Sequence, residues 1–355
     1  MDSNALNIKK KRYEYIDILR ILGCLLVIYI HTYEHGYNRY ATYYHKFTWA
    51  WDFFLSDLVQ AGVPLFLAIS GALLLGKDET IKQTYKRIPK FLINLILFSF
   101  IYIYLETKSY GKPVVPLEFF TRIFKNSYLH LWYLYAHIAL IISLPFLRPM
   151  VKGLNKKTGT YLLAVASIFA AIVPIFGVFG ITFDYRYKLI WMNMIIFIYP
   201  IEGYIIDRLF EIDKVGKKHL CFLIALTIFS FIIDILCGAY FFTNNPNILN
   251  ESFLNNFNIL KVALLFLLSK KVCCLPKLSQ KDHPLISEIG ACTFGIYLIH
   301  IFILDRRPIK YLWYTIEETS WGQYIGVYIS CIGTFAIAGI IIYVAKKIPL
   351  IKNMF

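Results

Sequence analysis

The chain has 355 residues, of which 58% are hydrophobic and 17% aromatic, and its mean hydropathy is +0.57. An ordinary soluble domain is excluded, because such domains are only about 45–50% apolar. The formal charge of +15 would suit a nucleic-acid binder, but the basic residues lie in short loops between apolar runs, so they report membrane topology and no nucleic-acid partner is expected.

Ten apolar runs are predicted as membrane-spanning helices, roughly at 15–34, 52–75, 88–106, 129–147, 160–181, 188–207, 219–242, 253–273, 285–304 and 323–345. Each approaches the length of about 20 residues that crosses a bilayer. Helices are the expected solution, because backbone groups in lipid must be satisfied internally. The predicted fold is an all-α polytopic transmembrane bundle, one domain over 1–355, without a fused soluble domain and without a cleavable signal. Lys and Arg are biased roughly two-to-one toward the loops on the side of Lys9, Lys10, Lys11 and Arg12, which places both termini in the cytoplasm. The bias toward Lys, Ile, Asn, Phe and Tyr is that of an AT-rich bacterial genome.

The first run, YIDILRILGCLLVIYIHTY (Tyr15 to Tyr33), carries Asp17, Arg20 and His31. Ionisable groups at membrane depth are costly and usually functional or paired. Arg20 and His31 are eleven residues apart, so they share a helix face and stand about 16 Å apart along it at about 1.5 Å per residue. Asp17 precedes Arg20 by three residues and is placed to orient it. His31 with Glu34 and His35 lacks the HExxH arrangement of a metal helix, and no metal site is expected.

The second run ends AGVPLFLAISGALLLG, where Pro64 and Ser70-Gly71 allow a kink or a close helix approach. The loop after it, KDETIKQTYKRIPKF, gathers Lys77, Lys82, Lys86, Arg87 and Lys90. Contact with anionic lipid and a receptor for donor phosphates are both compatible with that cluster. The fourth run begins HLWYLYAH, with Trp132, Tyr133 and Tyr135 suited to an interface. His130 and His137 roughly share a face, but no carboxylate nearby completes a metal site. Asp234 and Lys261 are placed to pair across helices, and Glu202 and Asp207 mark the end of the sixth run. The ninth, ISEIGACTFGIYLIHIFIL, brings Gly290, Gly295, Tyr297 and a second deep imidazole, His300. The seven cysteines follow neither a zinc nor a disulfide spacing.

These segments together resemble the acyltransferase-3 family of bacterial integral-membrane acyltransferases. Arg20 and His31 match its Arg, ten residues, His signature. Pro64-Leu65-Phe66 through Ser70-Gly71 resembles its PxFFxxSG segment, and Leu131-Trp132-Tyr133-Leu134 its LWYL segment. Gly290, then Gly295-Ile296-Tyr297-Leu298-Ile299-His300, resembles its IYLxH segment. Where the family often has two arginines three apart, Thr84 stands at the first position and Arg87 at the second.

The resemblance implies transfer of an acyl group, usually acetyl, from cytoplasmic acyl-CoA to a hydroxyl of a surface polysaccharide or its lipid-linked precursor, at the bacterial plasma membrane. Acyl-CoA is then a substrate, and no tightly bound cofactor is expected. Membrane lipids and other polysaccharide-biosynthesis proteins are the expected partners. His31 is assigned as base or acyl carrier. Arg20, with its fork of donors, holds the donor. Asp17, Ser70, Lys86, Arg87, Trp132, Tyr133, Tyr297 and His300 are the binding candidates. A transporter or flippase for a lipid-linked glycan, with Arg20 and His31 as gating or proton-relay groups, is the alternative from another class.

Overall fold

A computed structural model describes residues 14–32, 48–109, 120–123, 129–179, 197–211, 215–244, 257–274, 283–305 and 322–349, and isolated positions besides. Lys9 to Arg12, Glu34, His35 and the first half of the predicted 188–207 span lie outside the described residues. The described residues contain helices and no strand. In chain order they are α1 (Glu14–His31), α2 (Trp49–Val59), α3 (Gly62–Leu74), α4 (Ile81–Tyr85), α5 (Ile88–Ser109), α6 (Trp132–Lys152), α7 (Lys156–Val178), α8 (197–209), α9 (Lys217–Asn244), α10 (Asn258–Cys273), α11 (Pro284–Asp305) and α12 (Gly322–Ala345).

Local chemistry sets several of the boundaries. Thr80 caps α4 through a capping box: its hydroxyl accepts from the Gln83 backbone N–H at 3.3 Å while the Gln83 side chain accepts from the Thr80 backbone N–H at 2.9 Å. Asn155 and Thr158 exchange the equivalent bonds at 2.9 and 3.0 Å ahead of α7. Each pair satisfies amide groups that a helix start would leave orphaned.

Among the described residues, six stretches are long and apolar enough to cross a membrane: Trp49–Leu74, Ile81–Lys108, Trp132–Lys152, Lys217–Phe241, Pro284–Leu304 and Ile325–Ala345. The remaining predicted spans coincide with α1, α7, α8 and α10. Of these, α1 carries Glu14, Asp17 and Arg20 within 18 residues, and α10 is only 16 residues long. The outward faces carry rows of large apolar side chains at helical spacing, as in Ile93, Ile96 and Phe100 of α5 and Ile228, Phe229, Ile232 and Leu236 of α9. A soluble protein rarely exposes apolar patches of that extent, whereas lipid is their natural solvent.

The bundle is built around α1, which packs against α11, α3, α10, α12 and α2. Its Ile16, Leu19, Cys24 and Ile28 are almost wholly buried. α3 crosses α8 at backbone distance. A Cβ on Gly71 would lie 1.8 Å from the Pro200 carbonyl oxygen, and one on Gly203 would lie 1.8 Å from that of Ala68. Glycine is therefore a requirement of this crossing, in the manner of small-residue membrane interfaces. The start of α1 meets the start of α11 at Gly290, Lys346 beyond α12 donates to the Ala291 carbonyl, and Asn94 of α5 donates to that of Met354. The beginning of α1 and the end of the chain thus share one end of the bundle.

Candidate active site

Arg20 extends from the first half of α1, and its Nη1 donates to Asp17 Oδ1 at 3.1 Å. The Asp17 side chain is fully buried. It fits because α11 presents Gly290 there: a Cβ on Gly290 would come within 2.7 Å of Asp17 Cβ and Oδ1. The glycine singled out in the ninth run thus makes room for the carboxylate that orients the arginine.

Arg20 opens onto a cavity of about 300 Å³ at the end of the bundle that holds the chain end. Arg87 and Lys90 line it beside Arg20, and Ser70, Tyr133 and Tyr297 continue its wall. The Ser70 hydroxyl donates to the Phe66 carbonyl at 2.9 Å and lies within hydrogen-bond reach of the Tyr133 hydroxyl. Tyr133 also reaches His137 Nδ1 at 3.3 Å, and the His137 ring packs on Phe91 at 4.3 Å.

Arg87 and Arg148 converge on one carboxylate. Arg87 forks onto Glu79 with bonds of 2.6 and 2.8 Å, and Arg148 of α6 donates to the same Glu79 at 2.8 Å. The Arg87 guanidinium, seconded by Arg148, holds the Glu79 carboxyl below the ordinary carboxylate range, against a smaller opposing effect of burial. Arg148 also donates to the Thr84 hydroxyl at 2.7 Å and to the Leu74 carbonyl at 3.2 Å. It thereby ties the turn between α3 and α4 to α6.

At the far end of α1, His31 meets two further imidazoles. Its ring lies 5.1 Å from His300 of α11 and 6.2 Å from His130, while His130 and His300 are 5.3 Å apart. His130 is placed by the 3-10 turn Leu129–Leu131 that opens α6. The Tyr297 hydroxyl donates to the His130 carbonyl, and the Tyr102 hydroxyl donates to that of Leu298 at 2.8 Å. His300 Nδ1 lies 2.6 Å from the Tyr297 carbonyl. A carbonyl only accepts, so the Nδ1 carries the proton and Nε2 presents a lone pair. That Nε2 is buried and has no hydrogen-bond partner among the described residues.

Arg20, Ser70, Arg87, Tyr133 and Tyr297 therefore come together on one cavity, Asp17 supports them, and His31 and His300 lie just behind. Lys86 and Trp132 are exposed and do not line the cavity. His130 and His137, weighed in sequence as a pair, face different sites. Among the described residues no group of His, Cys, Asp and Glu could hold a metal ion.

Lys261 donates to Asp57 of α2, and the side chains of both are fully inaccessible. Asp234, its expected partner, lies within hydrogen-bond reach of Asp57, so three residues form that cluster. Sequence reasoning passed over Asp57, Arg148 and the contribution of His130. The available signals were an aspartate within the second apolar run, an arginine between Pro145 and Pro149, and a histidine directly before the LWYL segment.

The family model for the acyltransferase-3 domain, described as an acyltransferase domain, matches residues 13–343. The chain belongs to the acyltransferase-3 family. No curated protein and no solved structure matches it. Together with the six apolar helices, membership makes it a multi-pass membrane acyltransferase. In this acyltransferase-3 chain the guanidinium of Arg148 reaches the Thr84 hydroxyl.

Proposed function

We propose that this protein transfers a short acyl group, acetyl in the simplest case, from cytoplasmic acyl-CoA to a hydroxyl of a surface polysaccharide or its lipid-linked precursor in the bacterial plasma membrane. One observation carries the reading: three cationic side chains, Arg20, Arg87 and Lys90, line a cavity whose wall at Tyr297 backs onto His130 and His300, which cluster with His31. The cationic rim suits the phosphates of a nucleotide donor, because guanidinium forks bind phosphate oxygens in charge-assisted pairs. The rim then faces the cytoplasm, as the Lys and Arg bias in the loops requires.

In this reading the thioester arm runs inward along α1, from Arg20 toward His31. His31 takes the proton of the acceptor hydroxyl as that oxygen attacks the thioester carbonyl. The carbon–sulfur bond breaks, and the departing thiolate receives the proton back from His31. The products are the ester and free CoA, with atoms and charge balanced. His300, held by the Tyr297 carbonyl with its Nε2 lone pair directed inward, supports the His31 ring and its transient positive charge. The rim carboxylates Asp17 and Glu79 fix the guanidinium groups before donor arrives, which reduces the ordering cost of binding.

The test is acetyl-CoA binding and thiol release by the purified protein in lipid nanodiscs. Arg20→Ala should lose binding, whereas His31→Ala should bind and fail to turn over, by about 100-fold or more for loss of a general base. Absence of binding by folded wild type overturns the donor assignment. Full turnover by His31→Ala overturns the mechanism.

A further inference from the structure

The cavity and the histidine cluster are neighbours, yet none of His31, His130 and His300 lines the cavity. Tyr297 lines the cavity and touches the cluster, and Tyr133 packs against Tyr297 from the cavity wall. Their rings meet edge to face, 5.5 Å apart and at 76°. On the other side of Tyr297, His130 lies at 5.9 Å and His300 at 6.0 Å.

Both rings are fixed from more than one helix. The Tyr297 hydroxyl is tied to the His130 carbonyl across the gap between α11 and the turn before α6. The Tyr297 carbonyl accepts from His300. The Tyr133 hydroxyl is placed by His137 and Ser70, and its ring packs on Phe66 at 5.9 Å. Both tyrosines are 8% exposed or less. Side chains held in this way do not swing aside at low cost, since packed interiors resist added volume.

We propose that Tyr133 and Tyr297 form an aromatic gate that limits the length of the transferred acyl group. The inference rests on the acyl-CoA reading and names which acyl groups that site accepts. For His31 to serve the reaction, the thioester carbonyl must reach the gate, and whatever lies beyond that carbonyl projects into the histidine chamber. There the three imidazoles stand 5.1 to 6.2 Å from one another, and the Tyr102 ring closes on His130 at 4.9 Å. Rings at that separation are nearly in contact. A methyl group that enters must already shift a ring a little, and each further methylene must shift it more. The chamber is also polar, so a longer apolar tail gains little there in return. The gate therefore selects by exclusion, the form of specificity in which repulsive elements matter as much as attractive ones.

The experiment uses the full-length protein in nanodiscs, with acetyl-, propionyl- and butyryl-CoA as donors, water as acceptor, and thiol release as the readout. Wild type should hydrolyse acetyl-CoA and discriminate against butyryl-CoA by about tenfold or more, the range that a tight pocket achieves for one or two methylenes. Tyr297→Ala and, separately, Tyr133→Leu should raise the butyryl-to-acetyl ratio by about tenfold. Tyr297→Phe keeps the ring and loses only the bond to the His130 carbonyl, so it should lower the rate and leave the ratio where it was. If both truncations are monodisperse, melt as cleanly as wild type and keep the wild-type ratio, the gate is overturned while acyl-CoA turnover stands. If wild type releases thiol from none of the three donors, the acyl-CoA reading itself falls, and the gate with it.

Discussion

Lys261 and Arg20 each face an aspartate inside this bundle, in different settings. Lys261 and Asp57 are both fully inaccessible, join α10 to α2, and do not line the cavity at Arg20. Arg20 has 29% of its side chain exposed, while its partner Asp17 has none, and the pair opens on the cavity. The same ion-pair chemistry thus sits sealed between helices in one place and open to a cavity in the other. What separates them is access: a charge that a ligand can reach can be used, whereas a sealed one can only hold helices together.

Breaking the sealed pair should have the largest effect on stability. Lys261→Ala leaves Asp57 buried without its cation, a change that costs about 3–5 kcal/mol in comparable buried pairs. Thermal melting in nanodiscs should show an early transition and little folded protein. Lys261→Met combined with Asp57→Asn removes both charges, so it should recover much of the loss. A single mutant that melts with wild type would show that the cluster does not staple the helices.

At the open pair the expected effect is on binding. Arg20→Lys preserves a cation for Asp17 and loses the planar fork, so donor affinity should fall by about tenfold, near 1.4 kcal/mol, with melting almost unchanged. Gly290→Ala tests the same pair from the other side. Its methyl enters the space of Asp17, and overpacking of this kind costs about 1–3 kcal/mol. Melting and donor affinity should therefore fall together. Affinity retained in Gly290→Ala would mean that the position of Asp17 does not control Arg20.

How much of this was legible in the sequence follows from how far apart the partners lie in the chain. Asp17, Arg20 and His31 sit on one helix, and the 3.6-residue period alone places them. Ser70, Tyr133, Tyr297 and His300 came from local segments whose pattern matches a family. The Asp57–Lys261 bond joins residues 204 positions apart, and the grouping of His130 with His31 and His300 depends on three separate elements. No periodicity within one helix encodes such a meeting. The four spans that length and composition do not single out were predicted from apolar runs. Of these, α1 falls short because it carries the charges that the site uses.

A pH-dependent effect should appear at the rim. Glu79 is held below the ordinary carboxylate range by Arg87 and Arg148, so protonating it costs more in the folded protein than in the unfolded chain. Its contribution to stability is therefore complete above the ordinary value of about 4.3 and declines as the pH falls through and below it. Glu79→Gln forgoes the charge-assisted bonds at neutral pH, a loss of about 1.5–3 kcal/mol. A melting series from pH 7 down to pH 3 should show wild type approaching the variant at the acid end. Two curves that stay parallel would show that Glu79 does not titrate against the guanidinium groups.

The smallest change is expected where sequence reasoning placed a binding residue outside the cavity. Trp132 lies directly beside Tyr133 in the chain but is 40% exposed, and Tyr133 is 8% exposed and lines the cavity. Adjacent helical positions point about 100° apart, so the neighbours face different surroundings. Trp132→Phe keeps an aromatic ring at the bundle surface, where amphipathic rings suit the membrane interface. Acyl-CoA turnover should remain within about twofold of wild type, under 0.5 kcal/mol. A loss well beyond twofold would break the division between the cavity face and the outer face of α6, since only a ligand reaching around that helix contacts both.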